Sequence, residues 1–181
     1  MKQVLVGVMV LGAGTLGLSA QAPTAAKSGA AVAAAKATVK LEPTAKQTAR
    51  GEVTFTTESG GVHVVGQFSG LVLGEHGFHV HEKGDCSAPD GSSAGGHFNP
   101  TTKPHAARDA AARHVGDLGN LKADPYGLAR VDFVDTGLTL SGPNSIIGKA
   151  VIVHEKADDF TTQPTGNAGG RVACGVIEAA K

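Results

Sequence analysis

In residues 77–81, Gly-Phe-His-Val-His, apolar and ionisable side chains alternate with a period of two. That period places successive side chains on opposite faces of an extended strand. The same alternation, or a short run of branched apolar residues, marks residues 38–41, 51–56, 62–71, 78–81, 115–121, 129–134, 150–153 and 171–177. Eight short strands punctuated by glycine and proline predict an all-β fold: an eight-stranded antiparallel Greek-key sandwich or barrel, immunoglobulin-like, with long loops. The 26 glycines suit such turns, and no amphipathic helical pattern competes with the strands. With no Trp, one Tyr and six Phe, the core must be packed mainly by Val, Ile, Leu and Ala.

Histidine is concentrated where the strands are interrupted. Residues 77–117 hold five of the eight histidines, His79, His81, His97, His105 and His114, and end on Asp117. Neutral imidazole is a ligand for zinc and copper alike, and five in a loop rich in Gly and Pro exceed what core packing asks for. His79 and His81 are two apart on a strand, so they share a face and form a two-nitrogen chelate, while Phe78 and Val80 face the core. His154 ends an apolar strand and is positioned to add a third nitrogen. His97, His105, His114 and Asp117 supply three imidazoles and a carboxylate, a donor set suited to tetrahedral zinc. A loop with so few apolar residues gains order from a bound metal. Spacing alone does not assign each ligand to an ion.

The first 22 residues read as a secretory signal: Lys2, then an apolar run over residues 4–18, then small residues that offer cleavage after Ala20 or Ala22. That run is shorter than the roughly 20 residues of a bilayer-crossing helix, which weighs against an uncleaved anchor. Residues 23–36 form an Ala-rich flexible tail, and 37–181 are the domain. The expected location is the periplasm or another secreted compartment. Cys86 and Cys174 are the only cysteines, and in an exported chain they most simply pair with each other; free thiols or metal ligation are the alternatives. Residues 23–50 carry five basic side chains against one acidic (net +4), and residues 51–181 carry 10 against 15 (net −5). No basic stripe with interleaved aromatics is present, which excludes nucleic acid as the expected partner, and nothing beyond the signal reads as a membrane segment.

Five segments, GFHVH, AGGHFNP (94–100), RHVGDLGN (113–120), SIIGKAVIVHEKADD (145–159) and TGNAGGRVACGVI (165–177), resemble the signature segments of copper/zinc superoxide dismutases, in particular exported bacterial ones. The resemblance runs from about residue 37 to the C-terminus. It implies copper bound by His79, His81, His97 and His154, and zinc bound by His97, His105, His114 and Asp117, with His97 bridging. It further implies that Asp158 links a copper histidine to a zinc histidine, that Arg171 draws in the anion, that Thr165 narrows the channel, and that Cys86 and Cys174 form a disulfide. The implied reaction is dismutation of superoxide to oxygen and hydrogen peroxide by a Cu(II)/Cu(I) cycle, with His97 and Arg171 as its catalytic residues and zinc as a structural ion. A homodimer is the implied assembly, with a monomer as the alternative. His76 matches a structural position, His63 reads as a strand-surface residue, and Glu155 and Asp159 read as solvated or structural.

Departures from the eukaryotic pattern are specific. The segment SAPDGSSAGG between Cys86 and His97 is longer, as in bacterial members, and the loop from Asp158 to Thr165 is short and lacks additional steering charges. HAARDAAARH lacks the Gly-Pro that follows the first zinc histidine in the family. SIIGK resembles the stretch that lines the eukaryotic dimer contact, so the dimer mode stays open. A metal carrier on the same fold, or a copper-only dismutase, would lack ligands or the arginine that this chain retains.

Overall fold

Strand formation follows the burial pattern of the sequence. The computed structural model describes Met1 and residues 35–180; the segment read as a signal, after Met1, and nearly all of the tail lie outside the described residues. The strands are β1 (Lys36–Pro43), β2 (Arg50–Glu58), β3 (Gly61–Ser69), β4 (Gly74–His81), β5 (Asp117–Ala123), β6 (Ala129–Asp135), β7 (Ala150–His154), β8 (Arg171–Val176) and the two-residue β9 (Glu178–Ala179). Among the described residues the only helical element is a 3-10 turn at Ser92–Ala94, and none of their helices is long and apolar enough to cross a membrane.

The strands pair antiparallel in the order β5-β4-β7-β8-β1-β2-β3-β6, with β9 added to β1. Because β3 pairs with β6 and β4 with β7, two connections cross over, which is the Greek-key arrangement. The two end strands, β5 and β6, are joined by a short turn in which Asp124 N donates to Leu128 O (2.9 Å), so the barrel is nearly closed. Inside it lie Leu41, Val53, Phe55, Val64, Phe78, Leu121 and Ile177, each 1% exposed or less. Burying side chains of this size stabilises the fold by about 1.5–3 kcal/mol apiece. Phe68 packs edge-on against Phe78, with ring centroids 5.4 Å apart. Gly51 opposite it leaves the needed room: a β-carbon there would lie 2.5 Å from Phe68 Cδ1.

Where observed strands differ from the expected ones, local turns explain the shift. The third strand stops at Ser69 because Gly70 adopts φ +72°. The fifth starts at Asp117, not Val115, because Asp117 N donates to His114 O (3.2 Å) in a turn that brings the two side chains together. The first begins at Lys36, one residue inside the segment read as tail, with Ala35 already packed on the core.

Two anchors fix the 77–117 region to the barrel. Val80 N donates to Gly116 O (2.9 Å) and Phe98 N to Val80 O (2.8 Å), threading both loop ends along β4. Arg113 Nη2 donates to both carboxylate oxygens of Asp135 at the end of β6 (2.7 Å each), a charge-assisted and largely buried pair.

Candidate metal centre

Four histidines converge beside β4. His79 and His81 come from β4, His154 from the end of β7, and His97 from the segment after the 3-10 turn, where it bridges to His81. All are buried, and one ligand atom from each lies within 4.8 Å of every other. Their outward nitrogens are occupied. His79 Nε2 lies 2.8 Å from Asp158 Oδ2, His81 Nδ1 2.9 Å from Gly95 O, and His154 Nδ1 3.3 Å from Gly169 O. Each of these acceptors holds the ring proton on the outer side, so His79 Nδ1, His81 Nε2 and His154 Nε2 turn their lone pairs inward. His81 Nε2 and His154 Nε2 are 3.4 Å apart. Burial pushes His79 down to about 4 and His154 down to about 3, and holds His81 well below the usual histidine range, so these rings are neutral, the form in which imidazole can bind a metal.

The second cluster surrounds one oxygen. Asp117 Oδ1 lies 2.9 Å from His97 Nδ1, 3.0 Å from His105 Nδ1 and 3.2 Å from His114 Nδ1, and the Nδ1 atoms of His97 and His114 are 3.5 Å apart. A tetrahedral zinc with ligands at 2.0–2.1 Å has edges of about 3.3 Å, so these spacings match such a shell. Asp117 Oδ2 is steadied by the N–H groups of Ala106 (3.2 Å) and His114 (3.0 Å). Burial opposes its charge, yet the contacts from His105 and His97 prevail and hold Asp117 far below the usual carboxylate range. His105 shows the converse: burial opposes its protonation, but Asp117 and Asp158 on its two nitrogens outweigh this and raise it to about 9.

Asp158 joins the two clusters. Its Oδ2 meets His79 Nε2 and its Oδ1 meets His105 Nε2, each at 2.8 Å. Asn120 of β5 fixes its backbone from both sides: Asp158 N donates to Asn120 Oδ1 (2.8 Å) and Asn120 Nδ2 to Asp158 O (2.9 Å). Arg171, half-buried at the start of β8 and in register with His154, donates to Gly91 O and Gly95 O, each at 2.6 Å. Those carbonyls belong to the loop that Cys86 ties to Cys174 of β8 by a disulfide (Cα–Cα 5.8 Å), which removes the free-thiol and metal-ligand alternatives.

The fit of a metal ion to the first cluster rests on orphaned atoms. His79 Nδ1 and His97 Nε2 are buried and have no hydrogen-bond partner among the described residues. A buried polar atom left unpaired costs about 1–3 kcal/mol. Both atoms face the first cluster, where a metal ion satisfies them together.

The profile described as copper/zinc superoxide dismutase (SODC) matches residues 49–177. The chain belongs to the copper/zinc superoxide dismutase family. It is 49% identical over 137 residues to the extracellular superoxide dismutase [Cu-Zn] of Drosophila melanogaster, covering 71% of this chain and 75% of that one. It is also similar to the crystal structure of the clock protein EA4, with a TM-score of 0.73 and 50% identity, over 80% of this chain and 94% of that one. As a copper/zinc superoxide dismutase, the protein dismutes superoxide with copper and zinc as cofactors.

His79, His81, His97, His105, His114 and His154, with Asp117, Asp158 and Arg171, all lie in or beside this centre, and Thr165 is exposed in the loop after Asp158. His76 is buried between Val72 O and His154 O, 2.8 Å from each, and His63 lies on the outer face of β3. Asp159 caps its own loop through Thr161 and Thr162. Sequence reading missed Asn120, whose position inside RHVGDLGN was the available signal, and Gln163, for which there was none.

Proposed function

We propose that copper is held by His79 Nδ1 and by the Nε2 atoms of His81, His97 and His154, and zinc by the Nδ1 atoms of His97, His105 and His114 with Asp117 Oδ1. The observation that carries this is the orientation of His97, whose Nδ1 lies in the second cluster while its Nε2 is left unpaired toward the first. Bound copper supplies a one-electron redox change, and zinc, which has none, supplies only order and charge.

The chain's own residues do the rest. Arg171, kept beside His154 by two backbone carbonyls, is a fixed cation for an anionic substrate in a domain whose residues 51–181 are net negative. Two superoxide ions and two protons give one oxygen and one hydrogen peroxide, and His97 Nε2, whenever it is free of copper, would be the buried nitrogen suited to take up a proton and hand it over. Asp158 keeps His79 and His105 in the tautomers that ligation needs, and Thr165 narrows the approach. The enzyme acts outside the cytoplasm, in the periplasm or beyond, once residues 1–22 are removed, as the name of the extracellular Drosophila relative also suggests. There it lowers superoxide, with no nucleic acid or membrane as partner.

A homodimer is part of this reading. Val72 and Leu73 are 76% and 65% exposed, and Tyr126 and Leu128 86% and 50%. They lie on two adjoining turns, joined where Leu71 N donates to Gly127 O (3.2 Å), and form an apolar end suited to a second copy.

The test is to purify the exported form, count copper and zinc per chain, and assay superoxide loss in the native enzyme and in His154→Ala. The expected result is a single copper and a single zinc in the native enzyme, with His154→Ala losing copper and activity while zinc remains. Full metal occupancy without dismutation would overturn the reading.

A further inference from the structure

The loop that follows β7 is short and carries none of the extra steering charges, yet it grips one zinc-cluster residue at two places. At the ring, Asp158 Oδ1 meets His105 Nε2 (2.8 Å). At the backbone, His105 N donates to Gln163 Oε1 and Gln163 Nε2 donates to His105 O, both at 2.8 Å. His105 is 2% exposed and lies outside any strand, and among the described residues no backbone group serves its N–H or C=O. Buried peptide groups need partners, and one carboxamide provides both here. Gln163 is itself held by a third contact, Nε2 to Thr161 O (3.3 Å).

We infer that Gln163 is a positioning residue for zinc, a clamp that fixes the backbone of His105 so that Nδ1 stays aimed at the second cluster. The inference rests on the assignment of zinc to His97, His105, His114 and Asp117. An imidazole's aim is set at two points, the far ring nitrogen and the Cα to which the ring is attached. Asp158 controls the first and Gln163 the second, and both come from the same loop, five residues apart. Gln163 touches neither the substrate path at Arg171 nor the copper cluster, so its loss acts on zinc retention before it acts on turnover.

The experiment uses the fully loaded mature enzyme and follows zinc transfer to a zinc-selective chromogenic chelator, together with the ligand-field spectrum of protein carrying cobalt(II) in place of zinc. Gln163→Met keeps the length of the side chain and removes the paired bonds. It should bind zinc roughly 10-fold to 100-fold more weakly, the usual effect of deleting a group that orients a ligand, and should shift the cobalt bands. Gln163→Glu keeps the acceptor for His105 N–H and loses the donor, and should fall between native and Gln163→Met. Thr162→Val removes another bond of the same loop, Oγ1 to Asp159 Oδ2 (2.6 Å), and should release zinc as the native enzyme does. Native-like zinc retention in Gln163→Met, or equal zinc loss in Thr162→Val, would overturn the clamp. His105→Ala separates the two levels: if it loses zinc while Gln163→Met does not, the clamp alone fails. If His105→Ala keeps zinc with native affinity, the zinc assignment itself fails and the clamp with it.

Discussion

Gly166 has φ +68°, and a β-carbon built on it would lie 1.9 Å from Asp158 Oδ1 and 2.6 Å from His105 Nε2. Gly142 has a similar φ of +74° with nothing within 4 Å, so the pair separates backbone strain from collision. Gly142→Ala should cost the left-handed penalty alone, about 1–2 kcal/mol. Gly166→Ala adds displacement of Asp158 from two buried imidazoles, and should destabilise the protein by about 3 kcal/mol or more beyond that and weaken zinc binding. Thermal unfolding and zinc content check both; equal costs at the two sites would mean that Asp158 moves aside freely. Arg171 is a residue of another kind, since its value is its charge. Arg171→Ala should retain copper, slow dismutation, and shift the salt response toward faster rates at higher ionic strength, because repulsion from a net-negative domain is then less offset by local positive charge. An unchanged rate and salt dependence would leave Arg171 a structural tie between β8 and the loop at Gly91 and Gly95.

At the scale of elements, His63 links three strands. It sits on β3 with Nε2 2.7 Å from Asp132 Oδ1 on β6 and Nδ1 3.1 Å from Glu58 Oε1 at the end of β2. Its hydrogen bond to Asp132, with that to Glu58 and against a smaller opposing effect of burial, raises its pKa above the usual histidine value. A raised folded pKa means this contribution is fully present below the unfolded value of about 6.5, and is lost as pH rises through the folded one. Urea unfolding across that window should show stability falling with pH in the native protein and a flatter profile in His63→Gln; parallel profiles would remove the role. The outer-face position of His63 is legible in the sequence, as are the eight main strands, because a period of two records which face is buried. Strand ends are less so, since they depend on single turns such as Gly70 and the one joining His114 to Asp117. Within the site the residues that gather into the two clusters are legible from the motifs. The use of Nδ1 at His79 and Nε2 at His81 is not, because acceptors from distant segments, Asp158 and Gly95, decide which ring nitrogen turns inward. Asn120 and Gln163 are hidden for the same reason: each meets its target across 38 and 58 positions of chain.

At the scale of the whole molecule, the centre is assembled from segments far apart in the chain, and the Cys86–Cys174 disulfide closes an 88-position loop around most of it. Closing a loop of that length stabilises the fold by about 4–5 kcal/mol in the chain-entropy description. The surface then bears on assembly. Two surfaces differ in what they expose. Along SIIGK, Ile146 is fully buried in the core, and the nearby β9 presents Glu178 to solvent. The end that carries Val72, Leu73, Tyr126 and Leu128 instead leaves four apolar side chains at least half exposed. Hiding such a patch is favourable, whereas two facing Glu178 carboxylates would repel. The homodimer is therefore expected to form through the apolar turns, and the paired change Leu73→Glu with Tyr126→Glu should yield a monomer by sedimentation equilibrium, with copper and zinc content unchanged because neither residue approaches the metal centre. Glu178→Lys should leave the dimer intact. A dimer that survives the first change but falls apart with the second would assign the contact to the SIIGK face instead.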